Sequence, residues 1–173
     1  MKRTQALRVG NPLDPKTEVG PMAFKTHWQR VLDHIEKAKL EGATLLCGGE
    51  PLTKLGDGYF VAPTVFQVNS NRLSLCQEEV FGPVVSIQIF DEDEEAFSLA
   101  NDSRFGLVGY CWTNSLARSQ TFRQKVDAGT LWVNTPLARD LRAPFGGFKE
   151  SGIGRDGPAR PPSFSQKRKR RSQ

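Results

Sequence analysis

Two adjacent acids lead into an aromatic residue and a Gly-Pro turn in the stretch Gln77-Glu78-Glu79-Val80-Phe81-Gly82-Pro83-Val84. Gly82 admits backbone geometry that a side chain would block, and Pro83 fixes φ and removes a donor, so the turn resets the chain direction sharply. Residues 84–90, Val-Val-Ser-Ile-Gln-Ile-Phe, follow as a β-branched and almost wholly apolar run, the pattern of a strand buried on both faces. A carboxylate at the mouth of such a strand is a hydrogen-bond acceptor on a rigid mount, with Phe81 held beside it. Taken alone, the stretch fits either that reading or a solvated acidic turn before a core strand.

Other residue types that could carry chemistry point away from it. Cys47, Cys76 and Cys111 stand far apart, with no CxxC pair and an odd count, which suggests neither a disulfide framework nor a zinc site. They read as buried thiols in a reducing compartment, and the acids after Cys76 disfavour its thiolate. The segment from Ala143 to Arg155 is glycine-rich, but it meets neither the GxGxxG nor the GxxxxGK[ST] spacing of a phosphate loop, so turns are expected there.

The elements that must position these groups alternate. Residues 8–15 contain Gly-Asn-Pro and Asp-Pro and read as a long connecting loop. From about Thr26, Trp28, Val31, Leu32, Ile35 and Ala38 recur at helical spacing, with Gly42 placed to close the C-terminus. Residues 44–47 make a short buried strand, and 59–61 and 64–68 make extended pieces around Pro63. After the strand at 84–90, the acids of 91–95 suit the positive end of a helix running to about Asn101 through Ala96, Leu99 and Ala100. Residues 109–113 are strand-like, Ser115 caps a helix carrying Leu116, Phe122 and Val126 to a stop at Gly129, and 130–134 form another strand. This order predicts an α/β architecture, a partly parallel sheet with flanking helices.

The chain has 173 residues, 38% of them hydrophobic and 25% charged, which is room for one domain with a sizeable core. No apolar run approaches the roughly 20 residues of a membrane span, so no membrane partner is expected. Met1-Lys2-Arg3-Thr4 is basic, but no apolar core follows it, and the default location is the cytoplasm or an organelle matrix. The net charge of +5 is local: residues 158–173 hold six of the 24 bases and no acid, leaving 18 bases against 19 acids in the body. Any argument for nucleic acid rests on that tail.

Four blocks in order carry a resemblance: Pro63-Thr64-Val65; Gln77 to Pro83; Gly129-Thr130-Leu131-Trp132-Val133-Asn134; and Pro144-Phe145-Gly146-Gly147-Phe148-Lys149-Glu150-Ser151-Gly152. With the weaker Gly10-Asn11-Pro12 and Glu18-Val19-Gly20-Pro21, they resemble the C-terminal third of the aldehyde dehydrogenase superfamily over residues 6–157. Arg139-Asp140-Leu141-Arg142 looks most like the 5-carboxymethyl-2-hydroxymuconate semialdehyde dehydrogenase branch. The resemblance implies oxidation of an aldehyde to a carboxylic acid with NAD or NADP, through a cysteine thioester hydrolysed by an activated water. It assigns Glu79 to the nicotinamide ribose and Phe81 to the side of the nicotinamide ring. His27 and Arg30 fall near positions that touch the adenosine end, although a plain helix face accounts for them equally. Arg142 and Phe145 match the wall of the aldehyde tunnel.

The family's nucleophilic cysteine, general-base glutamate, oxyanion-hole asparagine and dinucleotide-binding half lie upstream of the part resembled. No catalytic residue is therefore expected in this chain, and activity is expected to need the missing half or full-length homologous subunits as partners. After Gly157 the family's closing strand gives way to Pro158-Ala159-Arg160-Pro161-Pro162 and a basic cluster. The expected division is a partial catalytic domain at 1–157 and a basic tail, without fixed structure, at 158–173. The alternative is a non-catalytic association or nucleic-acid-binding protein that uses Lys167 to Arg171.

Overall fold

The computed structural model describes residues 1–136, 138 and 141–157, and the tail expected at 158–173 lies outside them. It divides into two compact units, one from Met1 to Ile89 and one from Phe90 onward. Among the described residues no helix is long and apolar enough to cross a membrane.

The first unit runs α1 (Lys2–Gln5), α2 (Lys25–Leu40), β1 (Thr44–Cys47), a 3-10 turn (Thr53–Leu55), β2 (Thr64–Gln67), α3 (Ser74–Gln77) and β3 (Val84–Ile87). Helix α2 buries Val31, Ile35 and Ala38, as its spacing requires. It closes with Gly42 at φ 88° while the Ala43 amide donates to the Ala38 carbonyl and Gly42 to Lys39, a Schellman arrangement that satisfies the last carbonyls. Strand order is β1-β2-β3, with β1 antiparallel and β3 parallel to β2. Phe66, Val61, Val68, Leu75 and Val80 complete the core beneath α2. Glu41, just past α2, accepts from both the amide and the hydroxyl of Ser74 at 2.7 and 2.9 Å, tying the end of one helix to the start of the next.

Two sequence expectations fail here. The strand predicted over 84–90 stops at Ile87 and alternates in burial, with Val85 and Ile87 51% and 46% exposed. Ile89 and Phe90 are exposed as well. Successive strand residues point to opposite faces, and the core with α2 lies against one face of this sheet. Strand β1, expected to be buried, has Thr44 and Leu45 exposed.

The second unit runs α4 (Asp93–Asn101), β4 (Phe105–Gly106), β5 (Val108–Cys111), α5 (Leu116–Lys125), β6 (Thr130–Val133) and β7 (Phe148–Lys149). Strands β5 and β6 are parallel, as the strand-helix-strand order predicts, and β4 pairs antiparallel with β7. Phe97, Phe122 and Val126 form the core, with Cys111, Leu131 and Val133 against them. Phe97, not the Ala96, Leu99 and Ala100 stripe, is the buried residue of α4, and Leu116 of α5 is exposed. Ser115 caps α5 as expected, its hydroxyl accepting from the Arg118 amide at 3.2 Å. The acids at the start of α4 divide their work: Glu95 accepts from the Asp91 amide, Asp93 pairs with Arg118 at 2.7 Å, and Glu94 pairs with Lys125.

Candidate functional site

In the first unit, α3 delivers the acidic turn and α2 receives it. Glu78 is committed: it pairs with Lys37 at 3.2 Å and lies 4.0 Å from the His34 ring, both on α2. Val80 turns inward and joins the core. Between them Glu79 is exposed, and its carboxylate makes no hydrogen bond or ion pair among the described residues. Phe81 is 72% exposed with φ 53°, left-handed geometry that a residue with a Cβ keeps only when its surroundings fix it. A Cβ on Gly82 would stand 2.8 Å from both methyls of Val31, so glycine is required by close approach to α2. The Pro83 carbonyl then accepts from the Thr64 amide at 2.8 Å, and β3 begins.

Of the other expected cofactor residues, His27 reaches this turn. Its Nε2 donates to the Phe81 carbonyl at 2.8 Å. Arg30 is exposed one turn along α2. Thus the fold joins His27 to Phe81, while Glu79, two residues before Phe81 on the same turn, is exposed, as is the Phe81 ring. A cleft of about 330 Å³ in this unit, lined by Lys25, Trp28, Leu52, Tyr59 and Phe60 among others, includes none of the predicted site residues.

The tunnel-wall candidates belong to the second unit. Arg142 is exposed, while Arg139 and Asp140 lie outside the described residues. Phe145 is half-buried and exchanges backbone hydrogen bonds with Asp156 at 2.8 and 2.7 Å, closing the glycine-rich segment into a loop. The expectation of turns there holds except for β7. A Cβ on Gly146 would meet the Gly154 carbonyl at 2.3 Å, and one on Gly147 would meet the Ser151 Cβ at 2.5 Å, so these glycines serve the loop's packing on itself.

Sequence reading missed the residues that clamp this loop. Lys149 donates to the Asn101 and Ser103 carbonyls at 2.7 and 2.8 Å, at the C-terminal end of α4, where a cation is favoured. Asn101 reaches the end of α5, donating to the Lys125 carbonyl and accepting from the Asp127 amide, each at 2.7 Å. Ser151 accepts from the Gly106 amide at 3.0 Å, and Arg155 donates to the Gly147 carbonyl at 2.9 Å while lying over the Phe148 ring. Only the helix-terminal position of Asn101 was visible in sequence, because the other partners are more than 40 residues away or lie in a loop without periodicity.

The thiols are half-buried. Burial, with the Glu41 carboxylate adding to it, pushes the Cys76 thiol up despite a contact with Ser86. Its thiolate is disfavoured as expected, but the acid responsible is Glu41, not the neighbouring Glu78 and Glu79.

Residues 1–166 match the sequence model of the aldehyde dehydrogenase family. The chain belongs to that family. A betaine aldehyde dehydrogenase of Rhizobium etli is 44% identical over 155 residues, which is 89% of this chain and 32% of the relative. Among solved structures, HpcC from Thermus thermophilus is 43% identical with a TM-score of 0.86, covering 90% of this chain and 31% of that one. A Mycobacterium tuberculosis aldehyde dehydrogenase complexed with NAD+ is 41% identical with a TM-score of 0.86, covering 90% and 32%. This aldehyde dehydrogenase chain therefore spans about a third of the length of the relatives it matches.

Proposed function

We propose that this chain is the C-terminal part of an NAD(P)-dependent aldehyde dehydrogenase, oxidising an aldehyde to a carboxylic acid, and that it contributes the nicotinamide-facing wall of the site. The observation that carries this reading is the split between the two acids: Glu78 is spent on Lys37 and His34, whereas Glu79 is free beside an exposed Phe81. A carboxylate accepts hydrogen bonds from two vicinal ribose hydroxyls, and a phenyl face packs on a flat ring, so the two side chains fit that end of a dinucleotide. Bound there, the cofactor would supply the hydride acceptor. Glu79 orients it, and Phe81 excludes water from the ring's edge.

Arg142 and Phe145 are assigned to the aldehyde. A preference for a semialdehyde follows from the likeness of the Arg139-Asp140-Leu141-Arg142 stretch to the semialdehyde dehydrogenase branch of the family. The nucleophile is assigned to the part of the relatives' length that this chain does not match. None of the three cysteines stands in a nucleophile motif, and burial pushes the Cys76 thiol up, away from the reactive thiolate. Titration of the chain with millimolar NAD+ should shift the Glu79 and Phe81 amide resonances, and Glu79→Gln should weaken the response. A titration that leaves both amides unmoved would refute the assignment.

A further inference from the structure

The turn that presents Glu79 and Phe81 is restrained at three points. Val80 is buried in the core on one side, and Gly82 is pressed against Val31 on the other. Neither grips Phe81 itself. The bond from His27 does, joining residues 54 apart in sequence, and it is the hydrogen bond that Phe81 makes among the described residues. Since the acceptor is a carbonyl, Nε2 carries the proton, and that proton is spent. The Phe24 ring stands 5.7 Å from the imidazole at 48°, packing against it.

We infer that His27 is a positioning residue: it holds Phe81 in its left-handed conformation from α2, and so keeps the phenyl ring and the Glu79 carboxylate presented together, instead of offering Nε2 to the adenosine end of the dinucleotide. The inference rests on the nicotinamide reading of Glu79 and Phe81. Its physical basis is that left-handed geometry at a residue with a Cβ persists only where neighbours over-determine it. Without the donor, the Phe81 carbonyl is released to water and the residue relaxes to negative φ. The ring then leaves the carboxylate with which it must act.

The test uses the isotope-labelled full chain. A left-handed residue brings its own amide and Hα protons close, giving a strong intraresidue NOE. His27→Ala should weaken that NOE at Phe81 and reduce NAD+ affinity by about two- to tenfold, the effect of one net hydrogen bond. His27→Gln, whose side-chain amide nitrogen occupies the same position along the chain as Nε2, should restore both. If the alanine variant does not fold, His27→Phe retains a ring against Phe24 while lacking the donor, and it decides the matter. An unchanged Phe81 NOE in the donor-less variants overturns the positioning role, whatever NAD+ does. A lost NOE with no NAD+ response in any variant upholds the grip on Phe81 and overturns the nicotinamide reading.

Discussion

Replacing Gly82 by alanine isolates the steric part of the turn's design. Gly82 does not occupy the left-handed region, so alanine meets no backbone penalty there. The added methyl would stand 2.8 Å from Cγ1 and Cγ2 of Val31, a fully buried residue of α2. Overpacking of this kind costs about 1–3 kcal/mol. Val31→Ala removes two buried methyls at about 0.8 kcal/mol each and leaves a cavity, for about 1.5–3 kcal/mol. In the double variant the new methyl occupies the space Val31 vacates, so the combined loss should fall about 1–2 kcal/mol short of the sum. Native-state hydrogen exchange at the β2 amides of Val65 and Phe66 reads the stability of this unit without mixing in the other. Additivity within about 0.5 kcal/mol would refute the reasoning, because it would mean that the turn moves away from α2 instead of pressing on Val31.

Three further outcomes are expected. Asn101→Ala should cost the second unit about 1–3 kcal/mol, because it orphans the Lys125 carbonyl and the Asp127 amide, and hydrogen exchange should show the loss there and not at β2. Burial opposes ionisation of Glu41, but the two bonds from Ser74, with Lys37, hold its carboxyl below the ordinary value of 4.5. A depressed carboxyl stabilises the fold above its unfolded pKa and loses that contribution as pH falls through the folded one. The melting difference between wild type and Glu41→Gln should therefore be full at neutral pH and vanish in acid; a difference that persists well below pH 4.5 would contradict this. If residues 167–171 contact nucleic acid, the logarithm of affinity should fall with that of salt at up to about −0.9 per phosphate neutralised, and deletion of residues 166–173 should abolish binding in a filter assay.

Local signals decided much of this protein. The 3.6-residue spacing of Val31, Ile35 and Ala38 set the buried face of α2, Gly42 and Ser115 marked helix ends, and the strand-helix-strand order gave the parallel pairing of β5 with β6. These are properties of neighbours in sequence, where backbone geometry and capping act over one or two turns. The ordered blocks likewise pointed to the family and to Glu79 and Phe81. What needed the tertiary structure was the use of each residue whose partner is distant. Glu78 and Glu79 are identical in type and adjacent, and only the approach of Lys37 and His34 makes one structural and leaves the other free. His27 lay on a face that sequence left open between a ligand contact and a plain helix surface, until folding brought it to the Phe81 carbonyl. The 84–90 run read as doubly buried because apolar residues alone do not say which faces are covered; that depends on the elements packed against them, and Val85 and Ile87 face outward in this unit.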